Sequence, residues 1–390
     1  MKNIELTILM PCLNEAETLA SCIRQAHLGA KSAGVEHYEI IVADNGSQDG
    51  SQEIGREEGA VVLDVPVRGY GAALRAGIEA AHGKYIIMGD SDESYDFSRI
   101  ESFVEQLRSG VQLVMGTRLK GEILPKAMPF LHRYLGNPLL TWLANTFFSS
   151  GLSDYHCGLR GFDRLSILDL QLSTQGMEFA SEMVIKATLA GLSVGEVPIT
   201  YRPDGRSRSS HLRTWRDGWR HLRFLLLYSP RWLFLYPGIA LAVFGFVASI
   251  ILLIGPLPVG DIVFDVHTLL FTSTLFVIGV QLIYLAIFAR AYASRLGLLP
   301  RSPILERGLD RFSLGFGLLA GFLLCIAGIV LYGVGLVIWG GKHFGPLPDY
   351  SSTLRFAIAG TTLLILGMQT FFGSFVLSLF ELQGHTEEME

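Results

Sequence analysis

The sequence predicts a mostly parallel α/β domain followed by a region of four membrane-crossing helices. Three observations predict that division. Up to about Tyr228, short apolar strands alternate with helical patterns, as in a parallel sheet covered by helices. Beyond Tyr228, four apolar runs free of charged residues each exceed the ~20 residues that a helix needs to cross ~30 Å of hydrocarbon. The 390 residues are 50% hydrophobic and only 17% charged, too apolar for a disordered chain and high for a soluble enzyme, with length for two or three units.

The soluble half resolves into elements in chain order. Apolar runs predict strands at Leu6–Met10, Ile40–Ala43, Val61–Leu63, Tyr85–Met88 and Leu113–Met115, and later at Val194–Ile199. Helical patterns intervene at Thr18–Ala33, Ser51–Glu58, Ala72–Ala81 and Ser98–Arg108. Lys2 precedes a short strand and a polar loop, which is not the pattern of a signal peptide. The four cysteines form no CxxC pair and no metal spacing with histidine, so they read as reduced thiols of a cytoplasm-facing protein. A net charge of −5 argues against nucleic acid as a partner.

The apolar half places its spans at Leu233–Gly255, Thr268–Ala289, Leu314–Trp339 and Phe356–Phe380. Arg213, Arg216, Arg220, Arg223 and Arg231 precede the first span, and Arg290, Arg295, Arg301, Arg307 and Arg311 lie between the second and third. The loop 256–267 has Asp261 and Asp265 but no Lys or Arg, and the loop after the third span has only Lys342 and Arg355. An excess of Lys and Arg marks cytoplasmic loops. The N-terminal domain, the middle loop and the C-terminal tail are therefore expected in the cytoplasm. The layout expected is a cytoplasmic domain over 1–210, an interfacial helix over 211–232, four spans over 233–380 and a tail over 381–390. No charged residue lies inside the spans, so they read as an anchor rather than an ion path.

In open sheets of this type, ligands bind beyond the carboxyl ends of the strands, and the polar motifs fall there. The first strand ends in Pro11-Cys12-Leu13-Asn14-Glu15 and the second in Asp44-Asn45-Gly46-Ser47-Gln48-Asp49-Gly50. The latter, read alone, is equally a polar turn capping the helix at Ser51. Arg68-Gly69-Tyr70-Gly71 opens a helix whose free N–H groups suit a diphosphate. The fourth strand ends in Gly89-Asp90-Ser91-Asp92-Glu93. Adjacent carboxylates repel one another unless a cation or donors neutralise them, and Mg²⁺ prefers one or two carboxylates plus phosphate oxygens. A solvated acidic loop is the plainer reading of that run by itself.

Asp44-Asn45-Gly46-Ser47 followed by Asp90-Ser91-Asp92 resembles the inverting family-2 glycosyltransferases of GT-A fold. Within them it resembles the polyprenyl-phosphate glycosyltransferases, the group containing dolichol-phosphate mannose and glucose synthases. The likeness runs from residue 4 to about 230 by motif, and through the C-terminal region by architecture. It implies that Pro11, Asn14, Glu15 and Asp44 line a nucleotide pocket. It also implies that Asp90 faces the donor and that Asp92, with Asp90, holds Mg²⁺ or Mn²⁺. Asn45 stands where the family commonly has a second Asp; an amide can still hydrogen-bond base or ribose. Gly71, Arg118 and Arg160 join the expected substrate-binding set, Arg160 within Asp154-Tyr155-His156-Cys157-Gly158-Leu159-Arg160-Gly161-Phe162, which resembles the segment before the acceptor site.

Glu178 and Glu182 share a helix face at i,i+4 spacing. The resemblance sets a carboxylate of this helix near the acceptor, with Glu182 the better candidate for a catalytic role. The loop from Arg202 to Ser209 resembles the family's basic loop before the membrane, and Arg206 and Arg208 suit a phosphate because the guanidinium fork is planar and always charged. After it, Leu212, Trp215, Trp219, Leu222 and Leu226 recur near helical spacing among arginines, as in an interfacial helix; Phe130–Phe148 reads as another.

The expected reaction moves a hexose from a nucleotide sugar to polyprenyl phosphate at a cytoplasmic membrane. UDP-glucose is favoured as donor and GDP-mannose comes second. A phosphate acceptor is largely anionic at pH 7 and needs positioning more than deprotonation, whereas a hydroxyl acceptor needs a carboxylate base. A homo-oligomer stays open. Two other readings stand beside this one. A processive polysaccharide synthase would carry Gln-x-x-Arg-Trp, but Arg231-Trp232 follows Tyr228-Ser229-Pro230. A non-catalytic, flippase-like membrane protein would not need the intact Asp90/Asp92 pair.

Overall fold

In the computed structural model, residues 4–207, 214–295, 299, 314–347 and 350–387 are described, without the side chains of 214–217 and 380–387. The chain divides into two compact units, Met1–Tyr228 and Ser229–Glu390. The first is built on a seven-stranded sheet: β1 (Leu6–Cys12), β2 (Tyr38–Asp44), β3 (Val61–Asp64), β4 (Tyr85–Met88), β5 (Leu113–Ile123), β6 (Arg160–Asp163) and β7 (Val194–Tyr201). Their order across the sheet is β3-β2-β1-β4-β6-β5-β7.

All pairings are parallel except those of β6, which runs antiparallel to β4 and β5. The sequence reading has no strand there. Arg160-Gly161-Phe162-Asp163 holds one large apolar residue, and tertiary pairing rather than propensity makes it a strand. β1 is the hinge of the topology. From it the chain moves outward through β2 and β3, then returns to lay β4 on the other side. The carboxyl ends of β1 and β4 thus flank a switch point, where an open sheet leaves a crevice.

Helices α1 (Leu19–Ser32), α2 (Ser51–Glu57), α3 (Tyr70–Ala80) and α4 (Glu101–Arg108) cover this half of the sheet. Leu6, Ile8, Met10, Ile40, Val42 and Ile87 from the strands meet Leu19, Cys22, Ile23, Phe103 and Leu107 from α1 and α4 in one core. Central strands buried on both faces need such continuous apolar runs, which is why they are plain in the sequence. A π-helical turn (His132–Gly136), α5 (Asn137–Phe148), α6 (Arg164–Leu168), α7 (Phe179–Leu189) and α8 (Thr214–Leu227) complete the unit. Cys12, Cys22 and Cys157 are buried free thiols.

The second unit opens with a π-helical turn (Arg231–Leu235) leading into α9 (Tyr236–Ile254), then α10 (Val266–Arg295), α11 (Leu314–Gly340) and α12 (Tyr350–Glu387). Among the described residues, four helical stretches are long and apolar enough to cross a membrane, at Arg231–Ile254, Val266–Arg295, Leu314–Gly340 and Tyr350–Leu379. Between α9 and α10, where the sequence reading has only a loop, lies a short hairpin of β8 (Leu257–Val259) and β9 (Ile262–Phe264). Arg355 of α12 pairs with Asp265, and its Nε donates to the Leu252 carbonyl at 3.1 Å. The loop after the first span and the start of the fourth therefore share one end of the bundle, as alternating spans require. Arg301, Arg307 and Arg311 lie outside the described residues.

Candidate active site

The loops after β1 and β2 are laced together by short polar side chains. Asn14 sits in the left-handed region (φ 58°), a conformation its short amide side chain tolerates. Its N–H donates to Ser47 Oγ at 2.8 Å, and its Oδ1 accepts from the Gln48 N–H at 2.8 Å. Glu15 N–H donates to Ser51 Oγ at 2.9 Å. The Pro11 carbonyl accepts from Ser91 Oγ at 2.8 Å, tying the end of β1 to the end of β4.

Asp44 is fully buried. Its Oδ2 accepts from the N–H groups of Gly46 (3.1 Å) and Ser47 (3.0 Å) and from Gln52 Nε2 (2.7 Å), while Oδ1 has no hydrogen-bond partner. A buried acceptor without a donor is costly in a finished fold, and Oδ1 stands as one. Asn45 is engaged at both ends of its amide. Its amide nitrogen donates to the carbonyls of Val65 (3.1 Å) and Val67 (2.8 Å), and its oxygen accepts from the Gly69 N–H (2.7 Å). An amide does here what a carboxylate cannot, donating and accepting at once. Asn45 therefore clamps the loop to the start of α3.

Asp90 and Asp92 stand at the end of β4. Tyr70 Oη donates to Asp90 Oδ1 at 3.0 Å. Burial, and then the Asp92 charge, push the Asp90 carboxyl up to about 7; the Tyr70 hydrogen bond and Arg206 pull the other way. Asp92 Oδ1 accepts from the Ser94 N–H at 3.1 Å, and its Oδ2 pairs with Arg206. Arg206 Nε also lies 3.2 Å from Glu15 Oε2. Burial lowers the affinity of the Arg206 guanidinium for its proton, but Asp92 and Glu15 more than restore it.

The loop after β7 is strapped over this acidic end. Gly205 N–H donates to the Asp92 carbonyl (2.9 Å), Arg202 N–H to that of Ser94 (3.0 Å), and the Arg202 guanidinium pairs with Asp96. Arg206 thus turns toward the acidic cluster rather than outward. Arg208 lies outside the described residues, as do Leu212 and Arg213.

Arg118 and Arg160, both in the expected substrate-binding set, are engaged within the fold. Arg118 forms a buried two-pronged pair with Asp154, Nε–Oδ2 2.7 Å and Nη2–Oδ1 2.8 Å. Arg160 is wholly buried and donates to the carbonyls of Cys157, Ala180 and Tyr155. It ties the 155–157 loop to α7.

Glu182, expected at the acceptor, is equally occupied. It is fully buried, accepts from the N–H and hydroxyl groups of Ser173 and Thr174, and pairs with Lys186 at 3.0 Å. Burial alone would raise its pKa; the Thr174 hydrogen bonds and Lys186 hold it below the usual range. What it does is set a turn. The Gln175 carbonyl of that turn accepts the N–H groups of Gly71 and Ala72. A Cβ on Gly69 (φ 137°) would lie 2.1 Å from the same oxygen, and one on Gly71 would lie 2.5 Å from the Thr174 carbonyl. The glycines serve this close approach, and the Gly71 and Ala72 N–H groups at the start of α3 donate to Gln175.

A line of support thus runs from Glu182 through the 173–175 turn to α3 and from Tyr70 to Asp90. Sequence reasoning passed over Tyr70 and Asp154 as functional residues. Tyr70 had a signal, standing between two glycines at the start of a helix; Asp154 had none, because its partner lies 36 positions away. Among the described residues no three His, Cys, Asp or Glu side chains converge as metal ligands. His156 packs against His221 with ring centres 4.7 Å apart, and burial pushes the Cys157 thiol up to about 12.

Residues 7–169 match Glycosyl transferase family 2, and residues 287–381 match the glycosyltransferase family 2 C-terminal transmembrane region. The chain is 36% identical over 373 residues to the low-salt glycan biosynthesis hexosyltransferase Agl6 of Haloferax volcanii, covering 95% of this chain and 88% of that protein. It is 29% identical over 199 residues to a dolichyl-phosphate hexose transferase of the same organism, covering 51% and 83%. Glucosyl-3-phosphoglycerate synthase from Mycobacterium tuberculosis, solved with Mn²⁺, uridine diphosphate and glucosyl-3-phosphoglycerate, is similar over 57% of this chain and 79% of that one, at 22% identity and a TM-score of 0.45.

Proposed function

The chain belongs to glycosyltransferase family 2, and from that premise we propose that it transfers a hexose, with inversion, from a nucleotide-diphosphate sugar to a polyprenyl phosphate at the cytoplasmic face of a membrane. The observation that carries the reading is the Asp90/Asp92 pair at the β1/β4 switch point, with the buried Asp44 Oδ1 left for a ligand on the neighbouring strand. The names of the Haloferax relatives support a hexose and a lipid-phosphate acceptor. The four apolar helices support an acceptor that never leaves the bilayer.

Asp44 Oδ1 accepts a donor N–H or O–H from the nucleoside. Glu15 and Asp92 are joined by Arg206, and Asp90 is held by Tyr70. Asp90 and Asp92 suit a divalent cation, Mg²⁺ or Mn²⁺: both are hard oxygen donors, and Asp90 is raised first by burial and then by the neighbouring Asp92 charge. Two carboxylates suffice where phosphate oxygens complete the shell. Such a cation, when bound, offsets the charge that develops on the leaving nucleoside diphosphate. Arg206, already within the cluster, is the chain's own cation for the acceptor phosphate once Asp92 is otherwise neutralised. With Glu182 committed to its turn, no carboxylate of α7 serves as base, as befits an acceptor that is already an anion.

The experiment that tests the reading incubates membranes containing the full chain with undecaprenyl phosphate and radiolabelled UDP-glucose, GDP-mannose or other nucleotide sugars. Label is expected in the organic phase from one hexose donor; label from none contradicts the proposal.

The Asp90 environment yields a pH prediction. Asp90 works as a carboxylate, so kcat/KM for the donor climbs through an acid limb near pH 7. The Tyr70 hydrogen bond favours the carboxylate form, so Tyr70→Phe moves that limb to higher pH. The shift is about one unit, since a hydrogen bond to a charged group contributes ~1.5–3 kcal/mol and one unit corresponds to ~1.4 kcal/mol. A limb that stays in place, or moves to lower pH, removes the Tyr70–Asp90 bond from the mechanism.

A further inference from the structure

A cavity of about 330 Å³ lies between the start of α3, the turn at 175–178 and α8. It is lined by Arg68, Arg220 and Arg223, by Glu178, and by the apolar side chains of Phe224 and Leu227. Arg68 and Arg223 against one carboxylate leave an excess of positive charge. Among the described residues, Arg68 and Arg223 have no ion pair or side-chain hydrogen bond. Their fork geometry matches a phosphate.

The walls say which kind of phosphate. Leu227 is 60% exposed, and Trp219 on the same helix is 61% exposed. α8 touches α5, and the stretch ending in α5 exposes Phe130, Tyr134, Leu139 and Trp142. A soluble anion needs no apolar collar; an anion on a hydrocarbon tail does, and helices with basic and aromatic side chains on display are those that lie at lipid headgroups. In sequence, α8 ends at Leu227, just before the first apolar span begins at Arg231.

We propose that this cavity is a binding site for a phosphate group carried by a membrane lipid, separate from the Asp90/Asp92 centre. The phosphate sits between Arg68 and Arg223, with Arg220 on the rim, and the carrier lies along Phe224 and Leu227. Glu178 opposes it, which limits affinity and permits release.

The test is native mass spectrometry of the full chain in neutral detergent, titrated with phosphatidylglycerol, undecaprenyl phosphate or phosphatidylcholine. Wild type is expected to bind one more anionic lipid than the Arg68→Gln/Arg223→Gln double variant, whose affinity falls about tenfold or more, with phosphatidylcholine unaffected. Arg68→Lys/Arg223→Lys keeps most of the binding. Saturation by phosphatidylglycerol upholds a site for anionic membrane lipid; saturation by undecaprenyl phosphate alone would make this cavity the acceptor subsite and overturns its separateness from the Asp90/Asp92 centre. An unchanged lipid complement in the double variant overturns the proposal, as does full displacement of the lipid by millimolar inorganic phosphate. Should the double variant misfold, Glu178→Gln serves instead: it is expected to tighten anionic lipid binding, and unchanged or weaker binding overturns the assignment. Asp92→Asn separates this site from catalysis, because it leaves the lipid complement intact whatever becomes of transfer.

Discussion

Asp92→Asn is expected to lower transfer by 10²–10³-fold or more while the protein stays folded. The side chain touches two things in the fold, the Ser94 N–H through Oδ1 and Arg206 through Oδ2, and an amide keeps one of those acceptors at nearly the same volume. What it loses is the charge, and charge is what a cation on the donor requires. Removing one preorganised electrostatic partner of a transition state commonly costs ~10²–10³ in rate. The same substitution relieves Asp90, whose pKa is raised second by burial's companion, the Asp92 charge. Residual activity in Asp92→Asn should therefore have its acid limb displaced to lower pH. The checks are steady-state transfer across pH and a melting temperature within a few degrees of wild type. Undiminished turnover would remove Asp92 from the mechanism.

The second large effect is on stability. Asp154→Ala strands the Arg118 guanidinium, whose side chain is 8% exposed. Breaking a buried ion pair by deleting one partner costs ~3–5 kcal/mol, whereas replacing both by apolar groups of similar size is often neutral. At ~2–4 °C per kcal/mol for a unit of this size, the full chain in detergent should lose about 10 °C of melting temperature. Arg118→Met with Asp154→Leu should recover most of it. Burial works against the Asp154 charge, but Arg118 prevails and holds its pKa below the usual carboxylate value. Its folded pKa is depressed, so this stability is present above about pH 4 and is lost as pH falls through the folded value. A loss under about 1 kcal/mol in Asp154→Ala would show the pair to be dispensable.

Those two residues also mark what a linear reading can and cannot reach. β1, β2 and β4 are plain because a strand buried on both faces must be continuously apolar, and the spans because hydrocarbon admits nothing else. The Asp90/Asp92 motif is visible for a related reason: carboxylates crowd a strand end only where something neutralises them. Arg118, Arg160, Glu182 and Asn45 carry the same polar chemistry, yet their partners are Asp154, three backbone carbonyls, a turn at 173–174 and a loop at 65–69. Charge in a sequence does not distinguish a residue that reaches a substrate from one that holds a loop. Burial and long-range partners decide it, and neither is written locally. β6 escaped for the same reason, since four residues with one large apolar side chain become a strand only between β4 and β5.

The central claim is that the hexose is received by a lipid phosphate, and it is tested most directly by offering the full chain, in parallel, undecaprenyl phosphate and undecaprenol with the same labelled donor. Label is expected only in the phosphate-bearing lipid, released as free sugar by mild acid. Equal labelling of the alcohol, or label accumulating in a water-soluble polymer, would contradict it.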